Sequence, residues 1–288
     1  MLCVTHANEN SQQKHDYHTL TKTRDIAQMS HKLKKIGPIM NLNGKTAIVT
    51  GGGRDIGRAC VMRLAQEGVK VAINYHSSSA GADSAVEEIK AMGGQAFALQ
   101  GDMTNQADVD ALVTKTVDEF GSEIGVLMHV TGGLLARKKI EEMDINHWNK
   151  VMELNTTSLF RIVKAVESYM PEGSSIITFA SQAGRDGGGP GSVAYAASKG
   201  AVMTMTRGLA KEFGSRIRVN SLCPGMIDTD FHNIFTKPEV RTHVANVSPV
   251  KREGTPEDTA NLAVFLASDQ SAFMTGANVD INGGMLFS

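Results

Sequence analysis

Tyr195 and Lys199 carry a phenol and an ammonium group four residues apart, a spacing that places both side chains on one face of a helix. A free tyrosine has a pKa of about 10, but a cation about 4 Å away, at an effective dielectric of about 20, would lower that pKa by up to roughly three units. Such a tyrosine could protonate a carbonyl oxygen while a hydride reaches the carbon. Ser181, which ends an apolar run, could hydrogen-bond the same oxygen for roughly 3 kcal/mol. Because Tyr and Lys often occur at this spacing by chance, the interpretation depends on the motifs around them.

A glycine-rich loop follows the first apolar run and precedes the helical pattern Arg58 to Glu67. Glycines allow the backbone to approach a pyrophosphate, and the start of the next helix offers N–H groups and the positive end of its dipole. The same glycines would also suit a turn that only requires positive φ angles. The strand–loop–helix context favours a nucleotide site. Its candidate residues are Thr50, Gly51, Gly53, Arg54, Asp55, Ile56 and Gly57.

The end of the second apolar run indicates which dinucleotide would bind. An acidic residue there would accept hydrogen bonds from the 2′-hydroxyl of NAD, whereas this chain has Asn74, Tyr75, His76 and Ser77. No carboxylate would repel a 2′-phosphate, and Arg54 could reach that phosphate. We therefore expect NADPH (NADP) to be favoured over NADH (NAD), although Arg54 could also be an ordinary solvated charge.

These motifs require a sheet that brings distant parts of the chain together. Seven short apolar runs alternate with amphipathic helical patterns, which predicts βαβ units with right-handed crossovers. The predicted fold class is α/β, a Rossmann doubly wound parallel seven-stranded sheet with helices on both faces. Ligands bind beyond the carboxyl ends of such strands, where every motif above lies. The predicted strands are Lys45 to Thr50, Val69 to Asn74, Gln95 to Gln100, Val126 to Thr131, Ser175 to Ser181, Ile217 to Leu222 and Asn278 to Ile281.

From Leu42 to Ser288 the chain resembles the short-chain dehydrogenase/reductase family. The glycine-rich loop is similar to the family's T-G-x-x-x-G-x-G motif, and the residues that match the family's catalytic group are Asn155, Ser181, Tyr195 and Lys199. The resemblance implies an NAD(P)-dependent oxidoreductase that acts on CH–OH groups and carbonyls. It also implies that Asn155, on a long helix, holds a water molecule that connects Lys199 to solvent as a proton relay.

The resemblance adds further cofactor contacts. Asp102, followed by Met103, stands where the family places an Asp against the adenine amino group. Gly132 lies in the family's N-N-A-G loop, where this chain lacks the asparagines and has His129, which we expect to be a packed structural residue. Tyr195 and Lys199 also belong to the cofactor site. A match to the family's P-G-x-I-x-T motif would hold the nicotinamide carboxamide through Pro224, Gly225, Ile227 and Thr229.

Asp55 departs from the family pattern, which has glycine at this position. A carboxylate beside a pyrophosphate is unfavourable because the two charges repel each other. Asp is also a good N-cap residue. We therefore predict that the Asp55 side chain turns back onto the first amides of the helix and has a structural role.

Two segments should border the substrate, residues 182–192 and residues 228–251, and the second could close as a lid. In the first segment, Arg185 could clamp a carboxylate in bidentate fashion or pair with Asp186 in a structural turn. The candidate substrate residues are Ser181, Gln182, Arg185 and Tyr195.

The whole stretch is most similar to the 3-oxoacyl-[acyl-carrier-protein] reductase branch of the family, and several loops also resemble a subgroup that reduces keto-uronates released from alginate. This subgroup match favours a small polar keto acid, such as a 4-deoxy-5-keto-uronate, as the substrate. Reduction of a 3-oxoacyl-[acyl-carrier-protein] in fatty-acid synthesis is the alternative. A non-catalytic NADPH-binding sensor or scaffold is a lesser one, because the catalytic residues are all present. The resemblance also implies a homotetramer.

Composition limits the class of protein further. The chain has 288 residues, of which 41% are hydrophobic and 20% charged, and its 29 Lys and Arg nearly balance 30 Asp and Glu. This balance provides no field for nucleic acid or an anionic membrane, so a small-molecule carbonyl compound is the expected partner. No apolar run approaches the roughly 20 residues that span a bilayer, and the N-terminus lacks the apolar stretch of a secretory signal. Three widely spaced cysteines fit a reducing cytoplasm, so we expect a cytoplasmic protein.

Residues 1–39 are polar and show no sustained apolar periodicity. We predict a flexible N-terminal extension over residues 1–39 and a single catalytic domain over residues 40–288. The extension contains four histidines, whose irregular spacing does not indicate a metal site: His6, His15, His18 and His31. We therefore predict no metal cofactor.

Overall fold

The seven apolar runs pair as one parallel sheet in the computed structural model, which describes residues 40–287. The strands are β1 (Thr46–Thr50), β2 (Lys70–Tyr75), β3 (Ala96–Gln100), β4 (Val126–His129), β5 (Ser174–Phe179), β6 (Ile217–Pro224) and β7 (Asn278–Ile281). Their order across the sheet is β3-β2-β1-β4-β5-β6-β7, so the direction of winding changes between β1 and β4. The predicted α/β fold is confirmed, and ligands of such sheets bind at this change of direction.

Ten α-helices connect and cover the strands within the described residues. They are α1 (Asp55–Gln66), α2 (Ser79–Ala91), α3 (Gln106–Phe120), α4 (Ile145–Met152), α5 (Ser158–Val166), α6 (Ala183–Asp186), α7 (Val193–Phe213), α8 (Asp230–Phe235), α9 (Pro238–Val247) and α10 (Pro256–Ala267). Helices α1, α2 and α10 pack together with one face of the sheet, while α3, α5 and α7 cover the other. Both faces are therefore shielded from water, as the apolar strands require.

The core explains why these runs form central strands. All five residues of β1 and all four residues of β4 are buried, and β5 is buried along its whole length. A strand that contacts helices on both faces needs apolar side chains on both, which gives continuous apolar runs in place of alternation. These strands therefore form the rigid support from which the site is built.

Two strands end earlier than predicted. The pairing of β4 with β5 stops at His129 and Thr178, and β5 ends at Phe179. Thr131 and Ser181 consequently lie in loops beyond the sheet edge. Ser181 is therefore placed by a loop that begins where the sheet ends.

The predicted long helix around Asn155 is interrupted by one π-helical turn, Glu153–Thr157, between α4 and α5. Asn155 is buried, and its Nδ2 donates to the carbonyl oxygens of Val151 at 2.9 Å and Gly133 at 2.8 Å. π-Helical turns occur mostly inside α-helices and frequently at functional sites. Here the turn positions Asn155 against the loop after β4.

The predicted extension, with its four histidines, lies outside the described residues. Across residues 40–287, no helix combines the length and the apolar character needed to cross a membrane.

Candidate active site

The predicted motifs surround one cavity of about 1010 Å³ at the carboxyl edge of the sheet. This volume exceeds that of most single-ligand pockets and suits a dinucleotide together with a second molecule. Of the predicted site residues, three do not border the cavity: Thr50, Asn155 and Arg185. Those that do are Gly51, Gly53, Arg54, Asp55, Ile56, Gly57, Asn74, Tyr75, His76, Ser77, Asp102, Met103, Gly132, Ser181, Gln182, Tyr195, Lys199, Pro224, Gly225, Ile227 and Thr229.

The glycine-rich loop forms one wall of the cavity with backbone in place of side chains. A Cβ atom at Gly57 would collide with the carbonyl oxygen of Gly51, so the loop and the first turn of α1 touch directly. Arg54 is the N-cap residue of α1 and makes no side-chain hydrogen bond to the first turn. A glycine wall at the start of a twelve-residue helix fits a pyrophosphate, which would be held by backbone N–H groups.

Asp55 does not cap the helix, and that prediction is wrong. It is the first residue of α1, with a φ of 49°, and its Oδ1 accepts a hydrogen bond from the backbone N–H of Asp230 at 3.3 Å. Burial raises the pKa of Asp55 above its usual value, and that hydrogen bond partly offsets the rise. The carboxylate therefore connects the glycine-rich loop to α8, which no local sequence pattern indicated.

The end of β2 contains no carboxylate, as the sequence shows, and Asn74 borders the cavity there as predicted of a site residue. Its Oδ1 accepts from the Gly51 N–H at 3.4 Å and its Nδ2 donates to the Gly101 oxygen at 2.9 Å, so it joins two loops of the cavity. Arg54 also borders the cavity and pairs with Asp230 at 3.1 Å. The guanidinium is about half exposed, so this pair is readily exchanged for another anion.

Asp102 is placed at the cavity by its own turn. Its Oδ1 accepts hydrogen bonds of 2.8 Å from both the backbone N–H and the hydroxyl of Thr104. Burial alone would raise the pKa of Asp102, but the two hydrogen bonds outweigh it and the pKa is lowered. An ionised acceptor at this position suits an amino group such as that of adenine.

Tyr195 and Lys199 lie on the first turns of α7, one helical turn apart as predicted. Ser181 hydrogen-bonds the Tyr195 side chain, and Lys199 Nζ lies 5.7 Å from the centroid of the Tyr195 ring. The expected lowering of the tyrosine pKa is not found: burial raises the pKa of Tyr195, and the Ser181 bond only partly opposes it. The phenol is therefore protonated at neutral pH, the state required of a proton donor.

Lys199 is a buried ammonium whose Nζ donates to the Phe179 carbonyl oxygen at 2.7 Å. Burial lowers the pKa of Lys199 to about 8. A Cβ atom at Gly132 would lie 2.9 Å from Lys199 Nζ and 2.7 Å from Asn155 Oδ1, so the glycine leaves the space between these two groups open. This arrangement places Asn155 beside Lys199 although Asn155 does not border the main cavity.

His129 braces the loop after β4, in the structural role that the sequence analysis expects. Its Nδ1 lies 2.9 Å from the Thr50 hydroxyl, and its Nε2 lies 3.0 Å from the Ser158 hydroxyl. Burial lowers the pKa of His129 to about 3, and the nearby Lys199 charge contributes. Thr50 is itself fully buried and does not border the cavity, so the structure does not place it in the wall of the predicted cofactor site.

The segment after β6 closes the other side of the cavity. Gly225 packs its backbone against Asn282, and the buried Thr229 donates its hydroxyl to the Ile227 oxygen at 3.1 Å. Helices α8 and α9 follow and provide the cavity's apolar cover. Phe231 packs on Tyr195 with ring centroids 5.7 Å apart, and Phe235 lies 5.2 Å beyond Phe231.

Arg185 is turned away from the cavity, and both predicted roles for it are wrong. Its Nε donates to Asp280 Oδ1 at 2.7 Å, and its Nη2 donates to the Asn278 oxygen at 2.6 Å. Asp186 instead accepts from Gln182 Nε2 at 2.9 Å. Arg185 therefore joins α6 to β7 and has no free donor fork for a substrate carboxylate.

The remaining cavity wall includes residues that the sequence did not single out. They include the apolar Leu135, Leu154, Met226, Ile234, Val240, Val244 and Met285 and the charged Arg137, Lys150 and Glu153. Arg137 donates to the carbonyl oxygens of Phe235 and Pro190, both at 2.9 Å. Ile234, Val240 and Val244 belong to the segment 228–251 that was predicted to border the substrate. The positions of the other residues depend on how loops distant in sequence meet, and no motif indicated them.

Comparisons with known proteins agree with this geometry. Residues 51–286 match the family model described as enoyl-(acyl carrier protein) reductase. The chain is 39% identical to the 3-oxoacyl-[acyl-carrier-protein] reductase of Synechocystis sp., over 85% of this chain and 98% of the relative.

Solved structures give the same result. A blue fluorescent protein from a metagenomic library, in complex with NADPH, is 35% identical with a TM-score of 0.80, over 86% of this chain and 100% of that one. A short-chain dehydrogenase/reductase from Serratia marcescens is 31% identical with a TM-score of 0.79, over 84% and 98%. The chain therefore belongs to the short-chain dehydrogenase/reductase family and is an NAD(P)-dependent oxidoreductase.

Proposed function

We propose that this chain reduces 3-oxoacyl thioesters with NADPH, as a 3-oxoacyl-[acyl-carrier-protein] reductase does. The observation that carries the proposal is the apolar cover beside Tyr195, where Phe231 packs on the phenol ring and Phe235 packs on Phe231. An acyl chain is stabilised by such a surface, whereas a sugar acid would leave most of its hydroxyls without partners there. The 39% identity to a reductase of this name supports the same substrate class.

The reaction needs a hydride and a proton. NADPH, when bound, supplies the hydride to the carbonyl carbon. Tyr195 gives its phenolic proton to the carbonyl oxygen, which turns C=O into C–O–H, and Ser181 holds that oxygen by a hydrogen bond. The Lys199 ammonium returns a proton to the phenolate, and Asn155, adjacent to Lys199 across Gly132, would hold the water through which solvent reprotonates the lysine.

Two features support NADPH over NADH. The residues at the end of β2 and just after it that border the cavity, Tyr75, His76 and Ser77, carry no carboxylate that would repel a 2′-phosphate. The exposed Arg54 guanidinium is held by the carboxylates of Asp230 at 3.1 Å and Asp55 at 3.9 Å, and a phosphate carries more negative charge than either carboxylate. The NADPH complex of a 35% identical structure supports this preference.

The keto-uronate substrate rests on the resemblance of several loops, and it loses its candidate carboxylate clamp because Arg185 is paired with Asp280. The sensor or scaffold alternative lacks a supporting observation, since the catalytic residues are present with Ser181 bonded to Tyr195. Homotetrameric assembly and a cytoplasmic location remain proposals that rest on family membership.

The test follows NADPH and NADH oxidation with three substrates: an acetoacetyl thioester, simple 2-keto acids and the alginate-derived keto-deoxy sugar acid. We expect the highest kcat/KM with the thioester and NADPH, and a loss of about 10²- to 10⁴-fold in kcat for Tyr195→Phe. A higher kcat/KM with the sugar acid would overturn the thioester proposal. Cofactor binding without turnover of any carbonyl compound would favour the sensor.

A further inference from the structure

Asp55 occupies a backbone conformation that disfavours side chains. Its φ of 49° lies in the left-handed region, where the family motif has glycine. A side chain is sterically disfavoured in this conformation, although Asp tolerates it better than most residues. The carboxylate also stands beside the predicted pyrophosphate site. Both costs would be absent with glycine, so a compensating contact of the side chain is expected.

That contact is with the start of α8, 175 residues later in the chain. Asp55 Oδ1 accepts from the Asp230 backbone N–H at 3.3 Å, while Arg54 Nη1 holds the Asp230 carboxylate at 3.1 Å. Two neighbouring residues of the glycine-rich loop therefore hold Asp230 by its main chain and by its side chain.

The next residue, Phe231, carries this connection to the chemistry. Its ring packs on Tyr195 at 5.7 Å and on Phe235 at 5.2 Å. A displacement of Asp230 would consequently move the aromatic cover of the predicted proton donor.

The two attachments respond differently to a dinucleotide. A 2′-phosphate would compete with the Asp230 carboxylate for Arg54, so that ion pair is exchangeable. The Asp55 carboxylate also lies near Arg54, with Oδ2 3.9 Å from Nε, but its Oδ1 contact is made to a backbone N–H, which a phosphate does not displace. It therefore persists when Arg54 is engaged elsewhere.

We propose that Asp55 is a positioning residue that keeps the first turn of α8 attached to the cofactor loop, so that Phe231 covers Tyr195 while Arg54 binds NADPH. The inference rests on the proposed role of Tyr195 as the proton donor. It does not depend on which carbonyl compound is reduced.

The test compares Asp55→Gly, which restores the family residue and removes the backbone cost, with Asp55→Asn, which keeps an oxygen acceptor and tolerates the same φ. Amide hydrogen exchange of residues 230–236, measured with NADPH present, should be about 5-fold faster in Asp55→Gly than in the wild type. This factor corresponds to the loss of one hydrogen bond of about 1 kcal/mol. The KM for the carbonyl substrate should rise by a similar factor. The Kd for NADPH should stay equal or fall, because a repulsive charge is removed. Asp55→Asn should retain the slow exchange.

Three results would overturn the proposal: unchanged exchange in Asp55→Gly, equally fast exchange in both variants, or weaker NADPH binding in Asp55→Gly with an unchanged carbonyl KM. The last would mean that Asp55 acts on the cofactor loop alone. The exchange measurement needs no turnover, so it decides the role of Asp55 even if the proposed substrate is wrong.

Discussion

The Thr50 hydroxyl lies 2.9 Å from Nδ1 of His129, and the hydrogen bonds on the other side of the imidazole fix its tautomer. The Ser158 hydroxyl donates to the Leu154 oxygen at 2.6 Å, so Ser158 is left to accept from Nε2–H at 3.0 Å. Nδ1 is then the acceptor of the Thr50 proton. A neutral histidine with one protonated nitrogen therefore joins β1, β4 and the helix that carries Asn155.

This histidine should make the protein sensitive to acid. Its pKa is lowered from 6.5 to about 3, so between these values the unfolded chain binds a proton that the folded chain does not, and stability falls as the pH decreases. His129→Asn should be less stable at pH 7 by about 1–3 kcal/mol, because buried hydrogen bonds are lost. The difference in unfolding free energy between His129→Asn and the wild type should shrink by up to about 3 kcal/mol as the pH falls towards 4.

Urea unfolding at pH 7, 5.5 and 4.5 measures whether the unfolding free energies of His129→Asn and the wild type approach each other as the pH falls. His243→Asn, which removes an exposed histidine, is the control and should run parallel to the wild type. Parallel curves for His129→Asn as well would contradict a neutral buried imidazole.

Lys199 should set the alkaline limit of the reduction. Because burial lowers its pKa to about 8, the ammonium is present below that pH and is lost above it. We expect kcat for carbonyl reduction to be level from pH 6 to 7.5 and to decline above about pH 8. Lys199→Met should give a low rate without this decline. A wild-type profile that stays level to pH 9.5 would show that the lysine charge does not limit the rate.

The open space beside Gly132 should be essential to turnover. In Gly132→Ala the new methyl group would press on Asn155 Oδ1 and Lys199 Nζ, at 2.7 Å and 2.9 Å, and we expect kcat to fall by at least about 10-fold, or about 1.4 kcal/mol. Gly133→Ala is the matched control, because its Cβ would meet only Leu154 at an ordinary 3.7 Å. Similar kcat values in the two variants would mean that the space has no role in proton return.

Arg54→Ala should reduce the preference for NADPH. Losing one charge-assisted contact to a 2′-phosphate costs about 1.5–3 kcal/mol, so kcat/KM with NADPH should fall by about 10- to 100-fold while the value with NADH changes little. Arg58→Ala controls for charge, since Arg58 pairs with Glu88 at 2.7 Å and does not border the cavity. An equal loss of kcat/KM with NADPH and NADH would mean that Arg54 contacts a part of the cofactor that both dinucleotides share, and not the 2′-phosphate.

The strands and the residues at their carboxyl ends could be predicted because each depends on a few neighbouring positions. An apolar run reveals a buried strand, and the position of Ser181 or Asp102 just after such a run places it at the sheet edge. The four-residue spacing of Tyr195 and Lys199 similarly fixes their common helix face.

The long-range partners could not be predicted in this way. Arg185 and Asp280 are 95 positions apart, and Asp55 and Asp230 are 175 apart. Each pairing depends on which way a side chain leaves its loop, and that direction is decided by tertiary packing. The nearer Asp186 was a plausible partner for Arg185 by distance along the chain alone. The raised pKa of Tyr195 could not be predicted for a similar reason. Its spacing from Lys199 reveals a nearby positive charge, but it does not reveal that the phenol is buried.

The Arg54–Asp230 ion pair has a consequence for the response to ionic strength. Both side chains are about half exposed, at 52% and 56%, so dissolved ions screen their attraction. The same ions screen the attraction between Arg54 and a nucleotide phosphate. Added salt therefore weakens both the Arg54–Asp230 ion pair and the contact between Arg54 and the nucleotide phosphate that would replace it. NADPH affinity should consequently decline less steeply with salt than in a variant such as Asp230→Asn, in which Arg54 has no charged competitor at residue 230.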